Sequence, residues 1–116
     1  MPLDWTQGPL AEGLRCYRNR QFFETHEHWE TVWLTLSGPE KTFLQSLIQI
    51  AAAFHHFECN NRLGAHSLLG RALLRLAAYP PFYAGIDVAH LRQNLKVWLQ
   101  ALDQPGTTQP PWPPIR

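Results

Sequence analysis

Pro39-Glu40-Lys41-Thr42-Phe43-Leu44-Gln45-Ser46-Leu47-Ile48-Gln49-Ile50-Ala51-Ala52-Ala53-Phe54-His55-His56-Phe57-Glu58-Cys59 is the stretch on which the fold turns. Wound as a helix at about 100° per residue, Phe43, Leu44, Leu47, Ile48, Ile50, Phe54 and Phe57 point in many directions rather than one. A helix that is apolar on nearly every side needs neighbours on nearly every side, so it belongs in the middle of a bundle. Ala51, Ala52 and Ala53 are small enough for those neighbours to come close. The expectation is an all-α protein, a compact five-helix bundle built around this central apolar helix.

The chain on either side is punctuated to match. Ser37-Gly38-Pro39-Glu40 stops the preceding helix and starts the central one, with Gly38 as a permissive backbone and Pro39 at the first helical position. Helix 2 is expected over about Gln21 to Leu36. Helix 1 is expected to run from Gly8-Pro9 to Arg18-Asn19, with Asn19 taking the left-handed closing conformation. On the other side, Asn60 suits a left-handed cap and Asn61 can accept from the N–H groups opening helix 4. Helix 4 should reach about Ala78, where Tyr79-Pro80-Pro81 ends it. Asp87 is a good N-cap for helix 5, which buries Leu91, Leu95, Trp98 and Leu102 and ends near Asp103. No period-two alternation suggests a strand. Residues 1–103 thus read as one helical domain. Residues 104–116, rich in proline, read as a loosely ordered polyproline-like tail carrying Trp112.

Composition narrows the classes of function. The 116 residues hold 45% apolar side chains and five tryptophans, enough for one packed interior. Charged residues make up 16% and the net charge is +1, so no electrostatic footprint for nucleic acid is expected. Arg71 and Arg75 can share a helix face, which reads as a solvated edge rather than a phosphate cradle. The apolar run from Leu47 to Phe57 is interrupted by Gln49, His55 and His56 and is too short to span a bilayer. Met1-Pro2-Leu3-Asp4-Trp5-Thr6 has no basic region followed by an apolar run, so no signal peptide is expected. Cys16 and Cys59 lack C-x-x-C spacing and read as reduced thiols. A cytoplasmic protein follows from these readings.

Chemistry, if present, starts at Phe22-Phe23-Glu24-Thr25-His26-Glu27-His28-Trp29-Glu30-Thr31-Val32-Trp33. The apolar stripe read there is Phe22, Phe23, Trp29 and Trp33, with His26 and Glu30 inside it, Glu27 at its boundary, and Glu24 and His28 toward solvent. The central helix groups Gln45, Gln49, Ala52 and His56 on one edge, with His55 off it. Antiparallel neighbours would bring these two polar lines together. Left unsatisfied, each buried group costs roughly 1–3 kcal/mol, so the groups must be paired, hydrated or coordinated. Three readings stay open. The groups form a hydrogen-bond network that fixes packing, with Trp33 and Gln45 in support. They hold a divalent metal ion through His26, Glu30 and His56, with Gln49 or Glu27 nearby. Or they line a pocket for a small polar ligand. No nucleophile has an evident activating partner and no Gly-rich phosphate loop appears, so no reaction is assigned. A small ligand, a protein partner and a second copy of the chain are the partners left open.

The same residues carry a resemblance. The pattern H-x-x-x-E-x-x-W, here His26, Glu30 and Trp33, resembles the hallmark of a bacterial and archaeal family catalogued as "domain of unknown function 309", with Glu27 completing the usual His-Glu pair. The similarity runs on through Phe43-Leu44-Gln45-Ser46-Leu47-Ile48-Gln49, Ala51-Ala52-Ala53-Phe54-His55-His56 and Asn61-Arg62-Leu63-Gly64-Ala65 to Tyr79-Pro80-Pro81-Phe82-Tyr83-Ala84-Gly85-Ile86-Asp87, covering about Leu10 to Leu102. It departs at His28 and Trp29, where aliphatic residues are usual, at Ser46, where glycine is common, and at Arg18 and Arg20 in the first turn. The resemblance implies a compact all-helical fold and a motif associated with metal binding, without an assigned activity.

Overall fold

Five helices follow one another in the predicted order: α1 (Gly8–Arg18), α2 (Phe22–Trp33), α3 (Gly38–Glu58), α4 (Arg62–Leu76) and α5 (Val88–Asp103). The computed structural model describes residues 3–104, 106 and 108–116. Met1 and Pro2 of the leader reading, and Pro105 and Thr107 of the tail reading, lie outside the described residues. The protein is all-α apart from one minute hairpin. Its helix α3 packs on both α2 and α4, most extensively on α4, while α1 pairs with α2 and α5 with α4. Phe43, Leu44, Leu47, Ile50, Ala51, Ala53 and Phe54 of α3 are fully buried, as a central helix requires. Among the described residues no helix is long and apolar enough to cross a membrane.

Local chemistry sets the helix boundaries. Gly8 and Gly38 both hold positive φ, 68° and 67°, and each passes the chain to a proline at the first helical position. Two helices end in the same Schellman geometry. At α3, Asn60 takes φ 62° and the Asn61 N–H donates to the His56 carbonyl at 2.8 Å. At α1 the left-handed residue is Arg20 (φ 61°), not the expected Asn19, which stays at φ −93°. The matching bond runs from the Gln21 N–H to the Cys16 carbonyl at 2.8 Å, so hydrogen-bond closure, not the intrinsic preference of asparagine, fixes the position. Asn61 caps α4 by accepting from the Gly64 N–H at 2.9 Å, and Asp87 caps α5 by accepting from the His90 N–H at 3.0 Å. Helix α2 stops at Trp33, earlier than expected, because Thr35 and Leu36 already donate to carbonyls three residues back.

Between α4 and α5 the chain makes strands where none was expected. Strand β1 (Phe82–Tyr83) pairs antiparallel with β2 (Ile86–Asp87), in the register Phe82 to Asp87 and Tyr83 to Ile86. The two turn residues, Ala84 and Gly85, both have positive φ (51° and 80°), as the mirror-image turns of tight hairpins require. Two-residue strands leave no alternation for a sequence pattern to register. The Trp5 indole N–H donates to the Ala84 carbonyl at 2.8 Å and so ties the N-terminal segment to this turn.

Part of the proline-rich segment packs on the helices. Trp112 lies among Phe22, Phe54, Phe57 and Trp98, with ring centroids 5.0–6.2 Å away, and it stacks on Trp98 at an interplanar angle of 16°. Ile115 is buried. Three hydrogen bonds hold the segment: Trp98 Nε1 to the Pro111 carbonyl (2.9 Å), the Tyr17 hydroxyl to the Pro113 carbonyl (2.6 Å), and the Asp87 N–H to the Arg116 carbonyl (2.7 Å). A proline-rich chain has little backbone entropy left to lose on docking, so the half-buried Trp112, the buried Ile115 and these hydrogen bonds suffice to seat it.

Two outcomes follow. The α-carbon of Gly13 lies so close to Trp29 that a methyl group there would enter the indole ring. Gly13→Ala should cost about 1–3 kcal/mol in urea unfolding. Burial also raises the Tyr17 hydroxyl above its ordinary pKa, so the folded protein keeps a proton that the unfolded chain loses in alkali. Stability should hold below about pH 10 and fall above it. Urea titrations at about pH 9 and pH 11 should show much of that fall removed by Tyr17→Phe.

Candidate functional site

The rotation of α2 decides which of its polar groups can form a site. Phe22, Thr25 and Trp29 are buried, and Val32 and Leu36 continue the same line half-buried. This is a seam spaced three and four residues apart. Thr25 fits the core because its Oγ1 donates to the Gln21 carbonyl at 3.0 Å, which leaves its methyl group to pack. Trp29 is wholly buried and its Nε1 donates to the Leu10 carbonyl at 3.2 Å.

His26 and Glu30 each sit one position past this seam, on its flank. They are not buried: their side chains are 34% and 54% exposed, with Nε2 and Oε2 3.8 Å apart. Glu24 and Glu27 are exposed as well, whereas His28, expected toward solvent, is half-buried. Phe23, read as core, is 49% exposed. Trp33 is half-buried under the Lys41 ammonium, which lies 4.2 Å from its ring centroid. Its Nε1 is the one buried side-chain nitrogen or oxygen without a partner among the described residues, so Glu30 does not accept from it.

On α3 the expected polar line is likewise divided. Gln45 is half-buried. Gln49 Oε1 accepts from Arg75 Nη1 of α4 at 2.7 Å, which turns it to the α4 side and places a fixed positive charge beside it. His56 Nδ1 lies 3.1 Å from the Asn61 amide nitrogen. Glutamine is taken by a guanidinium, Glu30 faces solvent, and among the described residues no three His, Cys, Asp or Glu side chains gather closely enough to hold a metal ion.

What α2 and α3 do bring together is a cleft of about 170 Å³, lined by Phe22, Phe23, His26, Ala52, His55 and His56. Two of its imidazoles, His26 and His56, were singled out from the sequence. The third, His55, was not. It stands beside Phe23, ring centroids 5.5 Å apart, with Nε2 3.9 Å from Cys59 Sγ. The adjacent pair His55-His56 at the end of an otherwise apolar helix was the available signal, because neighbouring residues about 100° apart can border one cleft from two sides. The cleft offers phenyl faces, imidazole donors and acceptors, and an open mouth. Its lining among the described residues holds no carboxylate.

Exposure also fixes what the conspicuous pair contributes to folding. An exposed pair is worth at most about 1 kcal/mol, so Glu30→Gln should change the unfolding free energy by no more than that, as read by urea denaturation. A loss several times larger would restore the buried network.

With the geometry in place, two comparisons bear on kinship. The family model described as "Domain of unknown function (DUF309)" matches residues 10–68, from α1 into α4, which includes the whole cleft. The stretch from Tyr79 to Leu102 and the docked tail lie beyond the matched residues. An uncharacterized protein of Aquifex aeolicus (strain VF5) is 30% identical over 88 residues, covering 75% of this chain and 26% of that protein. This chain therefore spans about a quarter of the length of the curated relative it matches. With half of its length matched by the family model, the chain belongs to the DUF309 family.

Proposed function

We propose that this chain is a small binding module whose ligand seats in the cleft between α2 and α3. The carrying observation is the convergence of three imidazoles and two phenyl rings on one cavity of about 170 Å³. The size selects the ligand. An apolar cavity of about 150 Å³ holds one benzene ring, so this cleft suits a single ring rather than a nucleotide or a sugar. Phe22 and Phe23 would cover the faces of the ring, while His26, His55 and His56 would hydrogen-bond a polar edge. A heteroaromatic ring or an aromatic carboxylate has this chemistry. Cys16 and Cys59, both unpaired, suit the reducing cytoplasm in which we place the protein.

A second reading gives the ring to a side chain of a protein partner. It is favoured by the Aquifex relative, in which the matched segment is about a quarter of a longer chain.

The test is a titration of untagged protein with nicotinamide and with benzoate, followed by NMR of the imidazole side chains. Saturable shifts at His26, His55 and His56 are expected, and Ala52→Leu, which fills the cleft, should weaken binding by about tenfold or more. Absence of any shift at millimolar ligand would overturn the small-molecule reading. Stoichiometric uptake of zinc that is lost in His26→Ala would instead return the site to metal.

A further inference from the structure

We propose that a second cavity, between the end of α1 and the docked C-terminal segment, binds a small phosphate-bearing molecule through Arg18, Arg20 and Arg116. This cavity measures about 330 Å³ and is lined by Tyr17, the three arginines and residues 112–115. That size reaches the lower end of small-molecule sites, about 300 Å³, and exceeds what the α2–α3 cleft offers.

The charge around it is unbalanced. Arg18 comes from the last turn of α1, Arg20 from the turn that follows, and Arg116 from the far end of the described chain. Of these three arginines only Arg20 has an acidic partner among the described residues, Glu58, at a distance of 3.4 Å. The Arg18 and Arg116 side chains have none. Three arginines line one cavity, and an anion entering it would find two guanidinium side chains with no acidic partner. Guanidinium forks match phosphate oxygens two at a time, and a dianion engages several forks where a simple carboxylate engages one.

Arg20 is held for the purpose. Its guanidinium carbon lies 5.0 Å from the Trp112 ring centroid, a cation–π contact that limits where the side chain can go. Its backbone sits at φ 61°, a conformation that glycine or asparagine adopts at lower cost. Beside this charged rim, Trp112, Pro113, Pro114 and Ile115 supply an apolar wall for the organic part of the ligand. A concave site for one molecule, on a chain of net charge +1, suits a free phosphate ester better than a nucleic-acid backbone.

Calorimetric titration with phenyl phosphate at low salt tests the proposal, with inorganic phosphate and benzoate as comparisons. Saturable one-to-one binding is expected, with phenyl phosphate tightest. The double variant Arg18→Gln, Arg116→Gln should bind phenyl phosphate about tenfold more weakly or worse. The single variant Arg18→Gln, exposed and outside the core, serves if the double variant melts early. Ala52→Leu should leave phenyl phosphate binding unchanged, which separates this site from the α2–α3 cleft. Equal affinity for benzoate and phenyl phosphate in the Ala52→Leu protein, whose α2–α3 cleft is filled, or no loss in either arginine variant, would overturn it.

Discussion

The Trp29 indole sets the rotation of α2, and most of what can be said about the site depends on that rotation. The ring lies over the notch that Gly13 leaves in α1, donates to the Leu10 carbonyl, and meets Trp5 edge-on with centroids 5.7 Å apart. No other turn of α2 would keep a group of this size out of water, and burying it is among the largest single gains open to the helix. Once Trp29 points inward, Phe22 and Thr25 must follow. His26 and Glu30 are then carried to the flank by the geometry of the helix itself.

That is also where the sequence stops being legible. The helix order, the Gly-Pro openings, the Asn60-Asn61 break and the Asp87 cap could all be read because each is local chemistry with a single outcome. The rotation of α2 was misread. Two stripes compete on that helix, one through Phe23, His26, Glu30 and Trp33, the other through Phe22, Thr25, Trp29, Val32 and Leu36. The second is the more apolar, but Thr25 counts as polar until its hydroxyl is seen to be satisfied by its own helix. A stripe drawn through Phe22, Phe23, Trp29 and Trp33 mixes the two and sets His26 and Glu30 in its middle. The notch at Gly13, which holds Trp29 inward, belongs to another helix and shows in no pattern within α2. Gln49 was misplaced for a similar reason, since its partner, Arg75, belongs to α4. The hairpin was missed because it is too short to have a period.

The two cavities divide the molecule chemically. One is ring-lined and small, set between helices that the family shares; the other is larger and lined by three arginines, and more than half of its lining comes from a segment beyond the matched residues. They meet through Phe22, which borders the first and packs on Trp112 of the second at 5.1 Å.

The docked Trp112 has a further consequence for how the protein is made. Synthesis delivers α1 through α5 first, and domains tend to fold as units while the chain emerges. Until residues 108–116 arrive, Phe22, Phe54, Phe57 and Trp98 lack their fifth ring, and a hydrophobic opening stays on the surface. The nascent chain thus carries its own unfinished seam. It is the kind of surface that chaperones hold, and it is closed only by residues made after α5.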